Sequence, residues 1–157
     1  MKISLICIGK TDDKYILEGM EVYLKRLKHY VNFSKLEIPD LKNSKNLTEL
    51  QQKEKEGQLI LKQISNQDLV ILLDERGKEY SSIAFSNFLE KQMIASVTSV
   101  VFVIGGPYGF SNEVYERSNS KISLSKMTFS HQMIRLFFIE QLYRAYSIMR
   151  GEPYHHE

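Results

Sequence analysis

Thr98-Ser99-Val100-Val101-Phe102-Val103-Ile104-Gly105-Gly106-Pro107-Tyr108-Gly109 joins a run of β-branched and aromatic residues to a glycine-rich turn. Val100 to Ile104 favour extended backbone. The run is apolar on every residue rather than on alternate ones, which predicts a strand covered on both faces, as in a parallel sheet. A chain leaving that strand through Gly105-Gly106 must turn sharply, and glycine lets its backbone come close to a ligand. The spacing is not Gly-x-Gly-x-x-Gly, and no Gly-Lys-Ser/Thr follows. Neither a dinucleotide fingerprint nor a phosphate loop is supported. A tight strand-to-helix turn with no ligand is the plain alternative.

Outward from this stretch, strand-like and helix-like segments alternate. Lys2 to Ile8 reads as a buried strand. From Lys14 to His29, Ile16, Leu17, Met20, Tyr23, Leu24 and Leu27 recur at helical spacing. Phe33 to Ile38 reads as a second strand, and Leu41 to Asn46 as a polar loop. Thr48 with Gln51 forms a capping-box signature opening a helix to about Ile64. Asp68 to Leu73 is the third strand, with Glu75-Arg76-Gly77-Lys78 expected to turn out of it. Ser81 or Ser82 should cap a helix burying Ile83, Phe85, Phe88 and Leu89. A short helix is expected from Ser111, a strand near Lys121 to Leu124, and a last helix from about His131 to Met149. The pattern predicts one α/β domain over residues 1–157, a mostly parallel sheet with helices on both faces. Ligands of such sheets bind at the carboxyl ends of the strands, here after Leu73, Ile104 and Leu124.

Bulk composition narrows the classes. The chain has 157 residues, 43% hydrophobic and 25% charged, as a soluble globular domain would. No apolar run approaches the roughly 18 residues of a membrane span. Met1 to Gly9 lacks a small-residue cleavage site and reads as a strand rather than a signal, which places the expected location in the cytoplasm. The single Cys7 lies within that apolar run and reads as a small buried hydrophobe. No metal cluster is expected. A net charge of +2 does not by itself announce nucleic-acid binding, so any RNA contact must come from a local patch or a surface shared by two subunits.

Three further segments complete a pattern when read with the glycine turn. They are Leu124-Ser125-Lys126-Met127-Thr128-Phe129-Ser130-His131, Tyr143-Arg144-Ala145-Tyr146, and Pro153-Tyr154-His155. With the N-terminal Lys2 to Lys10 and with Lys55-Glu56-Gly57, they resemble the ribosomal RNA large subunit methyltransferase H family over essentially the whole chain. That family belongs to the SPOUT class of knotted methyltransferases. One departure is Ser130, where the family usually has proline. Serine suits a helix N-cap as proline suits its first turn, so little consequence is expected.

The resemblance implies a C-terminal trefoil knot, a rare exception to ordinary chain topology. It implies S-adenosyl-L-methionine as cofactor, held by Leu73, by Gly106 and by Ser125, Lys126, Met127, Thr128, Phe129 and Ser130. Leu73, Met127 and loop backbone suit an adenine ring, and a Cβ at Gly106 is expected to occupy ligand space. The implied reaction is methylation of 23S rRNA at N3 of a pseudouridine in a stem-loop, by a homodimer acting on the rRNA, large subunit or ribosome, without metal or membrane. His131 is expected to cap or contact the cofactor loop, with a plain structural role as an equal alternative.

Tyr154, His155 and Arg144 are the residues implied for acceptor and catalysis. Tyr154 could stack on a base, and His155 could hydrogen-bond it or take its proton. The plain readings are a frayed terminus or a tag remnant for the tail, and an exposed Glu140–Arg144 pair. The tail is expected to be too short to contribute much core. The last helix is apolar nearly all round, with Arg135, Arg144 and Arg150 as its cations, which predicts either a central helix or one shared with a partner. Two other classes compete. A non-catalytic RNA- or ribosome-binding dimer would not need the intact glycine turn and Pro-Tyr-His tail. A nucleotide oxidoreductase would need a glycine fingerprint after the first strand, which Gly9-Lys10-Thr11-Asp12 does not supply.

Overall fold

The computed structural model describes residues 1–156. Five strands form one sheet: β1 (Lys2–Ile8), β2 (Asn32–Ile38), β3 (Leu69–Glu79), β4 (Ser99–Ile104) and β5 (Ser120–Ser123). All are parallel, in the order β2-β1-β4-β3-β5. The helices are α1 (Lys14–Leu27), α2 (Glu49–Leu61), α3 (Ser82–Ile94), α4 (Asn112–Arg117) and α5 (Met133–Met149), with a short 3-10 turn at Ser44–Asn46 inside the expected polar loop. Helices α1 and α3 pack against α5, and α2 packs against α4.

The unbroken apolar runs are explained by two cores, one on each face. In β1, Ile3, Leu5 and Cys7 enter one core, while Ile6 and Ile8 enter the other. In β4, Val100, Phe102 and Ile104 alternate with Val101 and Val103 in the same way. Period two is therefore present, but both phases are buried. Edge strand β2 shows the one-sided pattern instead, with exposed and partly buried residues alternating.

Element types match the reading of the sequence, and apart from the far end of β3 the ends shift by no more than three residues, as helix and strand ends do. The Thr48–Gln51 capping box is present, with Gln51 N donating to Thr48 Oγ1 at 3.2 Å and Gln51 Oε1 accepting from Thr48 N at 3.0 Å. Ser81 rather than Ser82 caps α3.

One expectation is corrected. Glu75-Arg76-Gly77-Lys78 does not turn out of the sheet; β3 continues to Glu79. Ile122 of β5 pairs with both Leu73 and Lys78, with a register shift between them. Gly77 makes this possible, since a Cβ there would lie 2.5–2.6 Å from the Ile122 backbone. Pairing with β5 overrides a turn-like local composition.

Candidate functional site

The carboxyl ends of β3, β4 and β5 open into a cleft of about 580 Å³. Its walls are the β3 extension at Leu73 to Arg76, the turn Gly105 to Phe110, and the segment from Ile122 to Ser125 continuing through Met127, Thr128 and Phe129. His131 and Ile134 close it from the side of α5. The turn is fixed by Gly109 N donating to Gly106 O at 3.1 Å. The β5 loop is fixed by Ser123 Oγ donating to Ser125 O at 2.8 Å, and by Met127 N donating to Ser125 Oγ at 2.9 Å. Met127 itself is 77% exposed, a large apolar side chain standing at the mouth.

Of the residues expected to hold a cofactor, Leu73, Gly106, Ser125, Met127, Thr128 and Phe129 line the cleft. Lys126 and Ser130 share the loop without lining it. Lys126 points to Glu79 at 4.0 Å and is largely exposed. Ser130 tethers the start of α5: its Oγ accepts from Met133 N at 3.1 Å and its carbonyl from Ile134 N at 3.0 Å. The N-cap of α5 is Gln132 rather than the expected serine; Ser130 instead secures the turn that leads into the helix. His131 engages the Gly105 backbone, and burial holds its pKa below the usual histidine value, with Arg135 adding and Asp40 opposing.

The reason for glycine at position 106 differs from the expected one. A Cβ there would lie 2.8 Å from Glu56 Cδ, 2.9 Å from Oε1 and closer still to Oε2. The space it would take belongs to a buried carboxyl behind the turn, not to the cleft.

The sequence reading missed several residues. Asp74, Glu75, Arg76, Lys53, Asn112 and Tyr115 also line the cleft. Tyr115 Oη donates to Asp74 Oδ2 at 2.5 Å; burial first, then this bond, pushes its pKa up to about 12. Arg135 is 1% exposed; its guanidinium donates to Thr11 Oγ1 at 2.8 Å and to Ile8 O at 2.7 Å, with Glu37 at 3.7 Å. It ties the start of α5 to the end of β1. Glu56 lies within the Lys55-Glu56-Gly57 segment that fits the family, and Arg135 is one of three cations on the last helix, but neither has a place in the site as read from the sequence.

Tyr154, His155 and Arg144 form a second group, and none of the three lines the cleft. Tyr154 packs edge-on against Tyr143, with ring centroids 4.7 Å apart, and the Arg144 guanidinium lies 4.7 Å over its ring. Its hydroxyl donates to Glu140 Oε1 at 2.9 Å. Glu140 also accepts from Arg144 Nη2 at 2.6 Å and Nε at 3.1 Å. Arg144 Nη1 lies 3.3 Å from His155 Nδ1. The Glu140–Arg144 pair is thus partly buried under the tail rather than solvated. The frayed terminus weighed as the plain alternative is not what the structure has, and the tail contributes more core than expected: Tyr154 packs on the main core cluster. Glu157 lies outside the described residues.

A smaller hollow of about 160 Å³ adjoins the cleft, sharing Ile122, Ser123, Leu124 and Phe129 with it and reaching Phe137 of α5. Phe137 is 41% exposed and pairs with Phe129 at 4.9 Å. Most of the apolar surface of α5, including Phe138, Ile139, Leu142 and Ala145, is buried within the chain. Among the described residues no group of three or more His, Cys, Asp or Glu is arranged to hold a metal ion. No helix is long and apolar enough to cross a membrane.

A parallel sheet with a cleft built by loops from three adjacent strand ends is the ligand-binding arrangement of open α/β proteins. Comparison with known proteins sharpens that class. Residues 1–155 match the family model described as "Predicted SPOUT methyltransferase". The chain is 60% identical to the ribosomal RNA large subunit methyltransferase H of Christiangramia forsetii, covering 99% of both chains. It is 60% identical to the protein of that name from Parabacteroides distasonis over the full length of both. The chain therefore belongs to the ribosomal RNA large subunit methyltransferase H family of SPOUT methyltransferases.

Proposed function

We propose that this chain transfers a methyl group from S-adenosyl-L-methionine to a base of large-subunit ribosomal RNA, the acceptor being N3 of a pseudouridine in a 23S stem-loop. The observation that carries the reading is the cleft itself, built at the three strand ends that the family resemblance assigns to the cofactor. Its character fits that group. Leu73, Ile104, Leu124 and Ile134 give an apolar slot, and the backbones of 105–110 and 122–125 offer amide and carbonyl groups for hydrogen bonds. The bound cofactor supplies an electrophilic methyl group on a sulfonium, a transfer for which no metal is required. The chain's own part is positioning: a nitrogen held in line with the donor carbon removes much of the barrier.

Tyr154, His155 and Arg144 are proposed to serve the acceptor. Arg144 Nη1, 3.3 Å from His155 Nδ1, orients the ring within this group. Since this group does not line the cleft of its own chain, the proposal includes a homodimer in which one chain's tail serves the other's cleft. The exposed Phe137 and the adjoining hollow support that arrangement. The trefoil knot belongs to the same proposal. It rests on the family resemblance.

The test is incubation of purified protein and labelled S-adenosylmethionine with large subunits or 23S rRNA from cells lacking the enzyme. Label at one pseudouridine is expected. Label elsewhere would overturn the acceptor assignment, and none on any RNA substrate would overturn the activity. Sedimentation at twice 18.3 kDa is expected; an active monomer would remove the shared site.

A further inference from the structure

Helix α2 brings two successive residues against the two ends of the glycine turn. Glu56 is 3% exposed. Its Oε1 accepts from Gln52 Nε2 at 2.9 Å, and its Oε2 has no hydrogen-bond partner among the described residues. That unpartnered oxygen faces the Cα of Gly106. One residue along, a Cβ at Gly57 would lie 3.0 Å from Ser111 Cβ and closer still to its Oγ. Ser111 is the N-cap of α4 and ends the turn. The start of the loop thus rests on Glu56, and its end sits in the notch left by Gly57.

A buried carboxyl with a vacant acceptor is costly. Burial raises its pKa and the Asp40 charge adds to that, while the Gln52 bond opposes both. Helix packing alone would be served as well by leucine or methionine at this position. The group that gains from a fixed, shape-filling side chain is the turn in front of it, which lines the cleft.

We propose that Glu56 is a positioning residue of the cofactor loop: its carboxyl, pressed against Gly106, holds the Gly105–Gly109 backbone in the form that admits the ligand. The proposal rests on the reading that this cleft takes S-adenosylmethionine. It gives the glycine a different partner from the one the sequence suggests. Gly106 is required because a carboxylate stands behind it, so shortening that carboxylate should make a larger residue tolerable.

The experiment is a suppressor test on the full chain. Calorimetric titration with S-adenosylmethionine and ligand-free thermal denaturation are run on wild type, Gly106→Ala, Glu56→Ala, Glu56→Gln and the Gly106→Ala/Glu56→Ala pair. Gly106→Ala is expected to weaken binding about tenfold or more, and Glu56→Ala about tenfold, as coupled neighbours do. Glu56→Gln, similar in shape, should stay within about threefold of wild type. The double variant should bind more tightly and melt higher than Gly106→Ala alone. Losses that simply add in the double variant would overturn the proposal, as would wild-type affinity in Gly106→Ala. If Gly106→Ala does not fold, the Glu56 pair decides: equal affinity in Ala and Gln variants overturns the positioning role. A folded wild type that binds no cofactor would refute the reading of the cleft instead. The ligand-free melting cycle would then decide whether Glu56 seats Gly106.

Discussion

Replacing Tyr154 should destabilise the whole domain, although it lies only a few residues from the C-terminus. Its hydroxyl donates to Glu140 at 2.9 Å and lies 3.4 Å from the Tyr23 hydroxyl. A hydrogen bond to a charged acceptor contributes about 1.5–3 kcal/mol when buried, and partial exposure reduces that to about 1 kcal/mol for Tyr154→Phe. Tyr154→Ala also removes the edge contact with Tyr143 and the Arg144 guanidinium over the ring, both at 4.7 Å. These add about 0.5–1.5 and about 0.5–1 kcal/mol, and the loss of apolar packing brings the total to about 3 kcal/mol. Urea denaturation followed by circular dichroism measures the difference. With a slope of about 2 kcal/mol per molar, the midpoint of Tyr154→Ala should fall by about 1.5 M and that of Tyr154→Phe by about 0.5 M. A double-mutant cycle of Tyr154→Phe with Glu140→Gln should show coupling of at least about 0.5 kcal/mol. A midpoint unchanged in Tyr154→Ala would mean that the tail is not docked, and the stacking order Tyr143–Tyr154–Arg144 would fall with it.

Arg135→Met should cost about 3 kcal/mol, because it leaves the Ile8 carbonyl without the donor now at 2.7 Å and separates the start of α5 from β1; a loss below about 1 kcal/mol in the same assay would refute the tie. Glu56 has a raised folded pKa, so its ionisation opposes folding as pH rises above its unfolded value of 4.5. Glu56→Gln should therefore gain stability relative to wild type between acid and neutral pH, and a difference independent of pH would contradict the burial argument. Cys7 is fully buried, and burial raises its thiol to about 11. Iodoacetamide at mildly alkaline pH should alkylate it only in denaturant, as mass spectrometry would show; rapid labelling of the native protein would contradict that placement.

The strands and most of the helices are legible because their signals are local: unbroken apolar runs for β1, β3 and β4, helical spacing for α1, and a capping box for α2. The far half of β3 is not. Asp74, Glu75, Arg76 and Gly77 are turn formers by composition, and only pairing of Lys78 with Ile122 makes them strand. Glu56 belongs to Lys53-Glu54-Lys55-Glu56, a charge pattern that reads as a solvated helix face. Its burial depends on where α2 docks, a tertiary fact with no sequence period. Motif resemblance together with the strand-end rule points to the loops proposed to hold the cofactor, and the cleft lies among them. Resemblance also pointed to Tyr154 and His155, but the docking of the tail on Tyr143 and Glu140 depends on contacts that no short segment contains.

The buried polar groups carry independent information about which end of the sheet is the working one. Thr11, Glu56, Ser86, Ser111, Ser123, Arg135 and Ser147 are buried. Ser86 and Ser147 donate to the backbone carbonyls of Ala145 and Arg144, both at 2.8 Å, and cost little. The other five gather beyond the carboxyl ends of the strands. Thr11 follows β1, Ser111 follows the turn after β4, and Ser123 ends β5. Arg135 and Glu56 reach in from α5 and α2, and Arg135 Nε and Glu56 Oε2 lack hydrogen-bond partners among the described residues. Well-packed apolar residues in their place would often be neutral or stabilising. Departures from the best-packed solution are expected where a site must be shaped. Arg135 and Thr11 tie α5 to the ends of β1 and β2, whereas Glu56, Ser111 and Ser123 stand against the turn after β4 and at the end of β5. These three argue, without reference to any relative, that the walls of the cleft are held for a ligand and not merely folded.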